Sequence, residues 1–574
     1  MSEHHAPQKP SAAEARGSNA TGELDAIIVG SGPGGSTTAD VLTAAGWSVV
    51  IFEKGRNHLI DLDDPSRLLA DFSNDELKFM NRWFLGPDPL LEPRTFRRDD
   101  RAGERDHVGE VNNLPSSVGG GGTHADGKLP RLREEDFHLL SAHGPVEQSA
   151  LADWPVQYDA LEPLYAEAER LIGVSGEAGA NPFEPWRSGP FPMPPGPAMY
   201  GATLSAPAAE KLGLHPYPGP TGVNTVPYDG RPACNNCGFC AFYGCPIHAK
   251  GDPVAPLQRA LLSGRATLMP ETFVSRVNVR DGRATGVDFE GPDGVTRTMA
   301  ARHVVLAAGA METPRLLLLS GVEHPLIGRH LMFHFQTLVM GGFPFRLHPH
   351  RGRAVTHLHD DHLVPDEAAL RAAKDAGLPW FRGGMVEHCG PAGPVMEAKI
   401  YPWGPAHKDS MRASTLRDRM WGFTMQGEDL PQPVNRVDLD PTVRDVRGFP
   451  VARTTYRPHR FEQAASAHYA PVLQAVLREM GAEWTIVTTS PEPEATGSYG
   501  DFISPIPNSK HVMGTVRMGD DPTTSVVDRW GRFHDVPNLM VADSSVFVTS
   551  AGYGPTLTLV TLALRNARAL VEAS

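Results

Sequence analysis

The chain has 574 residues, and glycine (58) with proline (53) supplies about a fifth of them, which excludes a coiled coil or a helical solenoid. Hydrophobic content of 40% and charged content of 21% are those of a globular protein able to bury a large core. A net charge of −14 without a basic run argues against a nucleic-acid partner, and no stretch of about 18 apolar residues predicts a transmembrane helix.

Residues 1–23 are polar and rich in Ala, Ser and Pro, so they read as a disordered tail. They lack the apolar core of a secretory signal, which points to a cytoplasmic protein. Leu24 to Val29 is a short apolar run of the buried parallel-strand type. GSGPGG follows at once, then a small-residue helix with Ala39, Leu42 and Ala45 on one face, then a second strand from Ser48 to Phe52 ending at Glu53. Residues 56–115 are irregular and 180–232 read as Pro-rich loop. The pattern turns to strand at Thr272 to Val279, Ala284 to Phe289 and Val304 to Ala307, and a helix runs from about Thr313 to Leu319. Alternation at Thr337 to Gly341, Val395 to Tyr401 and Gly422 to Met425 predicts an antiparallel sheet. Strands at Asn435 to Leu439 and Val451 to Tyr456 precede a helix over Phe461 to Met480. The chain closes with a strand, Leu539 to Ala542, and a helix from Pro555 to Val571.

Gly30, Gly32 and Gly35 form G-x-G-x-x-G between a strand and a helix, and Glu53 stands 23 residues after the first glycine. Those are the conditions of a dinucleotide fingerprint: the first glycine for the turn, the second for close approach of a pyrophosphate, the third for helix-to-strand packing. Glu53 would accept hydrogen bonds from ribose hydroxyls. The run from Val118 to Gly122, closed by Thr123 and His124, is too permissive for a stable helix or strand; it reads equally as a flexible loop and as backbone lying flat on a ligand. His511, in HVMGTVRMG, is of the type suited to taking a proton near neutral pH. Gly554-Pro555 sits where a helix N-terminus would favour an anionic group.

GSGPGG with Glu53, VGGGGTHADG, AAGAMETPRLLLLSG, HVMGTVRMG and VADSSVFVTSAGYGPTLTLVTLALRNA, in that order, resemble the glucose-methanol-choline (GMC) family of FAD-dependent oxidoreductases. In style they are similar to bacterial sugar and gluconate dehydrogenase flavoproteins and pyranose oxidases. The resemblance implies an α/β protein: a Rossmann-type FAD-binding domain, residues 24–330 and 505–574, interrupted by an α+β substrate domain with an antiparallel sheet over 331–504. It implies FAD contacts at Gly30, Ser31, Gly32, Gly35, Glu53, Gly120, Val274, Ala308 and Gly309, with Asp543 at the pyrophosphate or ribityl and Pro555 and Thr556 by the isoalloxazine. His511 would take the hydroxyl proton while hydride passes to flavin N5, converting a CH–OH of a sugar, glycoside or polyol to a carbonyl. Thr123-His124 matches the position of covalent flavin attachment through histidine in some members. The family places Asn or His where this chain has Gly554, so Tyr553 is the candidate substitute; a non-sugar alcohol, a redox-neutral lyase or an electron-transfer flavoprotein are the alternatives.

Four of the five cysteines crowd into Cys234-x2-Cys237-x2-Cys240-x4-Cys245 within an insertion spanning 231–250. Spacing alone leaves open an iron–sulfur cluster, a zinc site, disulfides or free thiols. The resemblance implies Cys234, Cys240 and Cys245 as iron–sulfur ligands, with oxygen, a quinone or a haem subunit as electron acceptor, and peripheral association through such a subunit.

Overall fold

The structure is a computed structural model that describes residues 24–69, 88–103, 105–112, 114–240, 244–390, 404–414, 416–492 and 504–574. The tail at 1–23 and the strand expected at 395–401 lie outside the described residues.

The fold is α/β, built on a five-stranded parallel sheet. In chain order its strands are β1 (Ala26–Val29), β2 (Val49–Phe52), β6 (Ala266–Met269), β10 (His303–Leu306) and β18 (Leu539–Val541), arranged β18-β10-β1-β2-β6. In β1, Ile27 and Val29 join one core cluster and Ala26 and Ile28 another, so both faces are covered and the strand reads as unbroken apolar sequence. The last strand thus sits beside a strand from the first part of the chain.

β7 (Phe273–Arg280), β8 (Arg283–Glu290) and β9 (Thr296–Ala300) form a three-stranded antiparallel sheet. The antiparallel sheet expected in the second half has six strands. β5 (Tyr217–Pro218), β11 (Phe335–Gly342), β12 (His357–His359), β13 (Gly384–Cys389), β14 (Met420–Gly427) and β17 (Trp484–Ser490) run in the order β17-β11-β14-β13-β12-β5.

Four local expectations need correction. The segment read as irregular contributes two strands, β3 (Arg94–Arg97) and β4 (His107–Gly109), which form a four-stranded sheet with β15 (Arg436–Arg444) and β16 (Pro450–Thr455). The Pro-rich stretch contains a helix, Tyr200–Lys211, whose Ala-rich face is buried although Pro207 lies inside it. The Gly run is itself helical at Gly120–His124, entered through Gly119 at φ +89°. Tertiary fit requires glycine within that turn, since a Cβ on Gly122 would meet the Pro253 and Pro33 rings at 2.8 and 2.9 Å. Finally, the helix expected from Thr313 starts at Gly309.

Candidate functional site

One continuous cavity of about 980 Å³ is lined both by the glycine turn after β1 and by His511. At its first end the three fingerprint glycines divide their tasks. A Cβ on Gly30 would meet the Ala307 carbonyl oxygen at 2.3 Å, and one on Gly35 the Gly30 carbonyl oxygen at 2.0 Å, so both are demanded by close packing. A Cβ on Gly32 or on Gly121 would meet nothing within 4 Å. These two positions face the cavity, where side chains would fill the space a dinucleotide needs. The glycine segments touch each other: the Gly119 amide donates to Ser31 Oγ at 3.1 Å, and a Cβ on Gly120 would lie 3.1 Å from Gly32 Cα.

Glu53 also borders the cavity, its carboxylate receiving the Ser31 amide and hydroxyl and the Gly55 amide at 3.1, 2.7 and 2.9 Å. Oε2 takes both Ser31 bonds, whereas Oε1, with the Gly55 amide alone, keeps acceptor capacity for a ribose hydroxyl. Val274, Ala308 and Gly309 line the middle of the cavity. Asp543 holds that region together by accepting from the Gly309 amide at 2.9 Å and the Thr313 hydroxyl at 2.6 Å. Pro555 and Thr556, at the start of the closing helix Thr556–Glu572, complete the wall, so the helix N-terminus borders the cavity. His124 is buried at the same wall, whereas Ser31, Gly35 and Thr123 stand behind the lining. The donor set and the open cradle fit FAD.

The other end is built from buried side chains. His511 lines the cavity, and a Cβ placed on Gly554 would lie 3.8 and 3.9 Å from its Cε1 and Nε2, so Gly554 is its immediate neighbour. Burial holds the His511 imidazole well below its ordinary value, with His334 and the Lys128 cation adding to the effect. His334, whose Nδ1 is 2.9 Å from that of His511, is pushed down to about 4, also by burial. Both rings are therefore neutral at pH 7.

Lys128 pairs with Asp126 at 2.9 Å and with Glu387. Burial works against its charge, but the two carboxylates outweigh it and hold the ammonium above the ordinary lysine value. Burial raises the Glu387 carboxyl, against the opposing pull of Lys128. Glu387 also accepts from Gln426 Nε2 at 2.8 Å, and Gln426 Oε1 from Gln336 Nε2 at 3.2 Å.

Cross-strand register explains why these groups meet, because directly paired residues and alternate residues share a sheet face. One row across the six-stranded sheet is Ser490, Gln336 and Gln426; the next is Thr488, Leu338, Thr424 and Glu387. The third is Ile486, Met340, Gly422 and Cys389, so the wall grades from polar beside His334 to apolar farther along. Sequence reading missed Lys128, His334, Glu387 and Gln426. Lys128 stands just beyond the VGGGGTHADG motif, but the other three carried no signal outside the fold.

Tyr553 does not take the place of the missing Asn or His. Its hydroxyl donates to Asp360 at 2.7 Å, away from the cavity, where Asp360 also receives Tyr217 and Asn181 at 3.0 and 2.7 Å. The cysteine segment contributes Cys237 to the cavity wall, not Cys234, Cys240 or Cys245. All four are free thiols, and burial pushes that of Cys240 up to about 12. Among the described residues no three Cys, His, Asp or Glu side chains form a set that could hold a metal ion. The iron–sulfur expectation therefore finds no ligand set among the described residues.

Family models described as GMC oxidoreductase match residues 208–336 and 431–563. The chain belongs to the GMC oxidoreductases. It is an FAD-dependent oxidoreductase of the kind that acts on CH–OH donors. It is 28% identical over 566 residues to 2-methyl-1,2-propanediol dehydrogenase of Mycolicibacterium austroafricanum, covering 95% of this chain and 94% of that one. It is likewise 28% identical over 601 residues to the gluconate 2-dehydrogenase flavoprotein of Pantoea cypripedii, covering 96% and 94%. The solved pyridoxine 4-oxidase from Mesorbium loti shares the fold at a TM-score of 0.60 and 18% identity, over 95% of this chain and 99% of that one. This GMC oxidoreductase has, among its described residues, no helix long and apolar enough to cross a membrane.

Proposed function

We propose that the protein oxidises a secondary alcohol of a sugar, glycoside or polyol to a carbonyl, with His511 taking the hydroxyl proton. The observation that carries this reading is the placement of a buried, neutral imidazole beside Gly554 in the wall of the cavity that Gln336, Gln426 and Glu387 also line. Gln336, Gln426 and Thr424 offer donors and acceptors to a substrate with several hydroxyls, and Glu387 accepts from one more. FAD, held by the glycine turn, Glu53 and the closing helix, supplies hydride acceptance when bound. Residues 24–330 and 505–574 form the cofactor part and 331–504 the substrate part, in keeping with the sharing of the parallel sheet between both ends of the chain. His124, buried at the cofactor wall, is the residue through which a covalent flavin bond would run. Colour that stays in an acid precipitate of wild type and is released from His124→Ala identifies the bond; release from wild type removes it.

The apolar third row, with Ile486 and Met340, favours a second reading: an alcohol bearing an apolar group. Anaerobic mixing with free sugars, polyols, alkyl glycosides and simple alcohols separates the two, read as loss of the visible flavin absorbance. Bleaching by sugars or polyols supports the first reading. Bleaching by simple or apolar alcohols alone replaces it with the second. Repeating turnover with oxygen and with dye acceptors then assigns an oxidase or a dehydrogenase.

A further inference from the structure

His511 at the cavity wall and His334 behind it form a pair whose hydrogen-bond polarity follows from one fixed acceptor. His334 Nε2 lies 3.2 Å from the Ser550 carbonyl oxygen. A carbonyl only accepts, so Nε2 of His334 carries the hydrogen. A neutral imidazole has one N–H, which leaves its Nδ1 as a bare lone pair. That nitrogen is 2.9 Å from His511 Nδ1, and the rings meet edge to face at 82°. One of the two must donate, and only His511 can.

We infer that His334 is a positioning residue that locks His511 in its Nδ1–H tautomer, leaving His511 Nε2 as the lone pair directed at the Gly554 side of the cavity. The inference rests on the proposed role of His511 as base. It also accounts for the step that follows proton transfer. When Nε2 takes the hydroxyl proton, the imidazolium still donates through Nδ1 to His334, now as a charge-assisted bond.

The anchor of the relay is itself fixed from behind. The Ser550 hydroxyl donates to Glu428 Oε1 at 2.8 Å and receives the Asp429 amide at 2.8 Å. Glu428 is clamped by the fully buried Arg382 at 2.6 Å. The groups facing the pair from other elements are the Lys128 cation, paired with Asp126 and Glu387, and the Gln426 carboxamide beside His334. Burial disfavours a second proton on either ring and the Lys128 cation adds to it, so the one-hydrogen count holds at neutral pH.

His334→Gln can keep both bonds, its carbonyl accepting from His511 and its amide donating to Ser550, whereas His334→Ala keeps neither. In the holoenzyme, His334→Ala should slow anaerobic flavin reduction on the order of 10²-fold with KM unchanged and shift the acid limb of its pH profile, while His334→Gln recovers most of the rate. Histidine ¹⁵N NMR, with the His511 signal assigned by its absence in His511→Ala, gives a readout independent of turnover. Wild type and His334→Gln should show the neutral Nδ1–H form, and His334→Ala should lose it. An Nε2–H tautomer in wild type, unchanged rate and pH profile in His334→Ala, or equal slowing in Ala and Gln would each overturn the inference. If no alcohol reduces the flavin, the proposed function fails, while the NMR result still decides the tautomer.

Discussion

The two ends of the cavity are made by opposite means. At the first end the chain offers backbone: Gly30 and Gly35 are small because neighbours press on them, and Gly32 and Gly121 because open space must remain. At the other end it offers buried ionisable side chains, His334, His511, Lys128 and Glu387, whose protonation is set by burial and by one another. The first end is governed by volume and the second by charge and proton position. Substitutions should therefore fail in different ways at the two ends.

The largest contrast comes from volume. Gly32→Val should give a folded protein that does not retain FAD, because its side chain enters open space, whereas Gly35→Val should not yield folded protein, its Cβ falling 2.0 Å from the Gly30 carbonyl oxygen. Thermal unfolding together with visible absorbance of the purified variants distinguishes these outcomes. At the other end Lys128→Met leaves Glu387 buried without its counter-charge and should cost about 3–5 kcal/mol by denaturant unfolding. Adding Glu387→Gln to that variant should recover part of the loss, a coupling that an exposed pair would not show.

The pH profile of flavin reduction is a gentler probe. Because burial lowers the His511 value, the ring stays neutral as pH falls through the ordinary imidazole range, and protonation at lower pH removes the base. The acid limb should lie well below a pH of about 6.5; a limb at or above it would mean that the ring is not desolvated. The smallest effect is expected for Gly554→Ala. Its Cβ makes only ordinary contacts with His511, so cofactor content should be unchanged and stability higher by about 0.4–1 kcal/mol.

The same contrast explains what could be read from the sequence. The glycine end was legible, since G-x-G-x-x-G, the acidic residue after β2 and the strand lengths are local consequences of backbone geometry. The parallel sheet follows from apolar runs buried on both faces. The side-chain end depends on register between strands far apart in the chain, such as Gln336 beside Gln426 and Glu387 beside Thr424, and no local pattern encodes it. Tyr553 was misplaced for a related reason: Asp360, 193 residues away, draws its hydroxyl out of the cavity. The short helix at Gly120–His124 was hidden because a run of glycines has little intrinsic helix propensity, and the crowding by Pro33 and Pro253 that keeps Gly122 small is a tertiary feature.

The central claim is that His511 removes the hydroxyl proton of the alcohol. Its most direct test is the rate of anaerobic flavin reduction in His511→Ala carrying a full complement of FAD, under the substrate that bleaches wild type fastest. The account predicts a fall on the order of 10²- to 10⁴-fold with cofactor content unchanged. A rate equal to that of wild type would contradict it and move the proton acceptor elsewhere in the cavity.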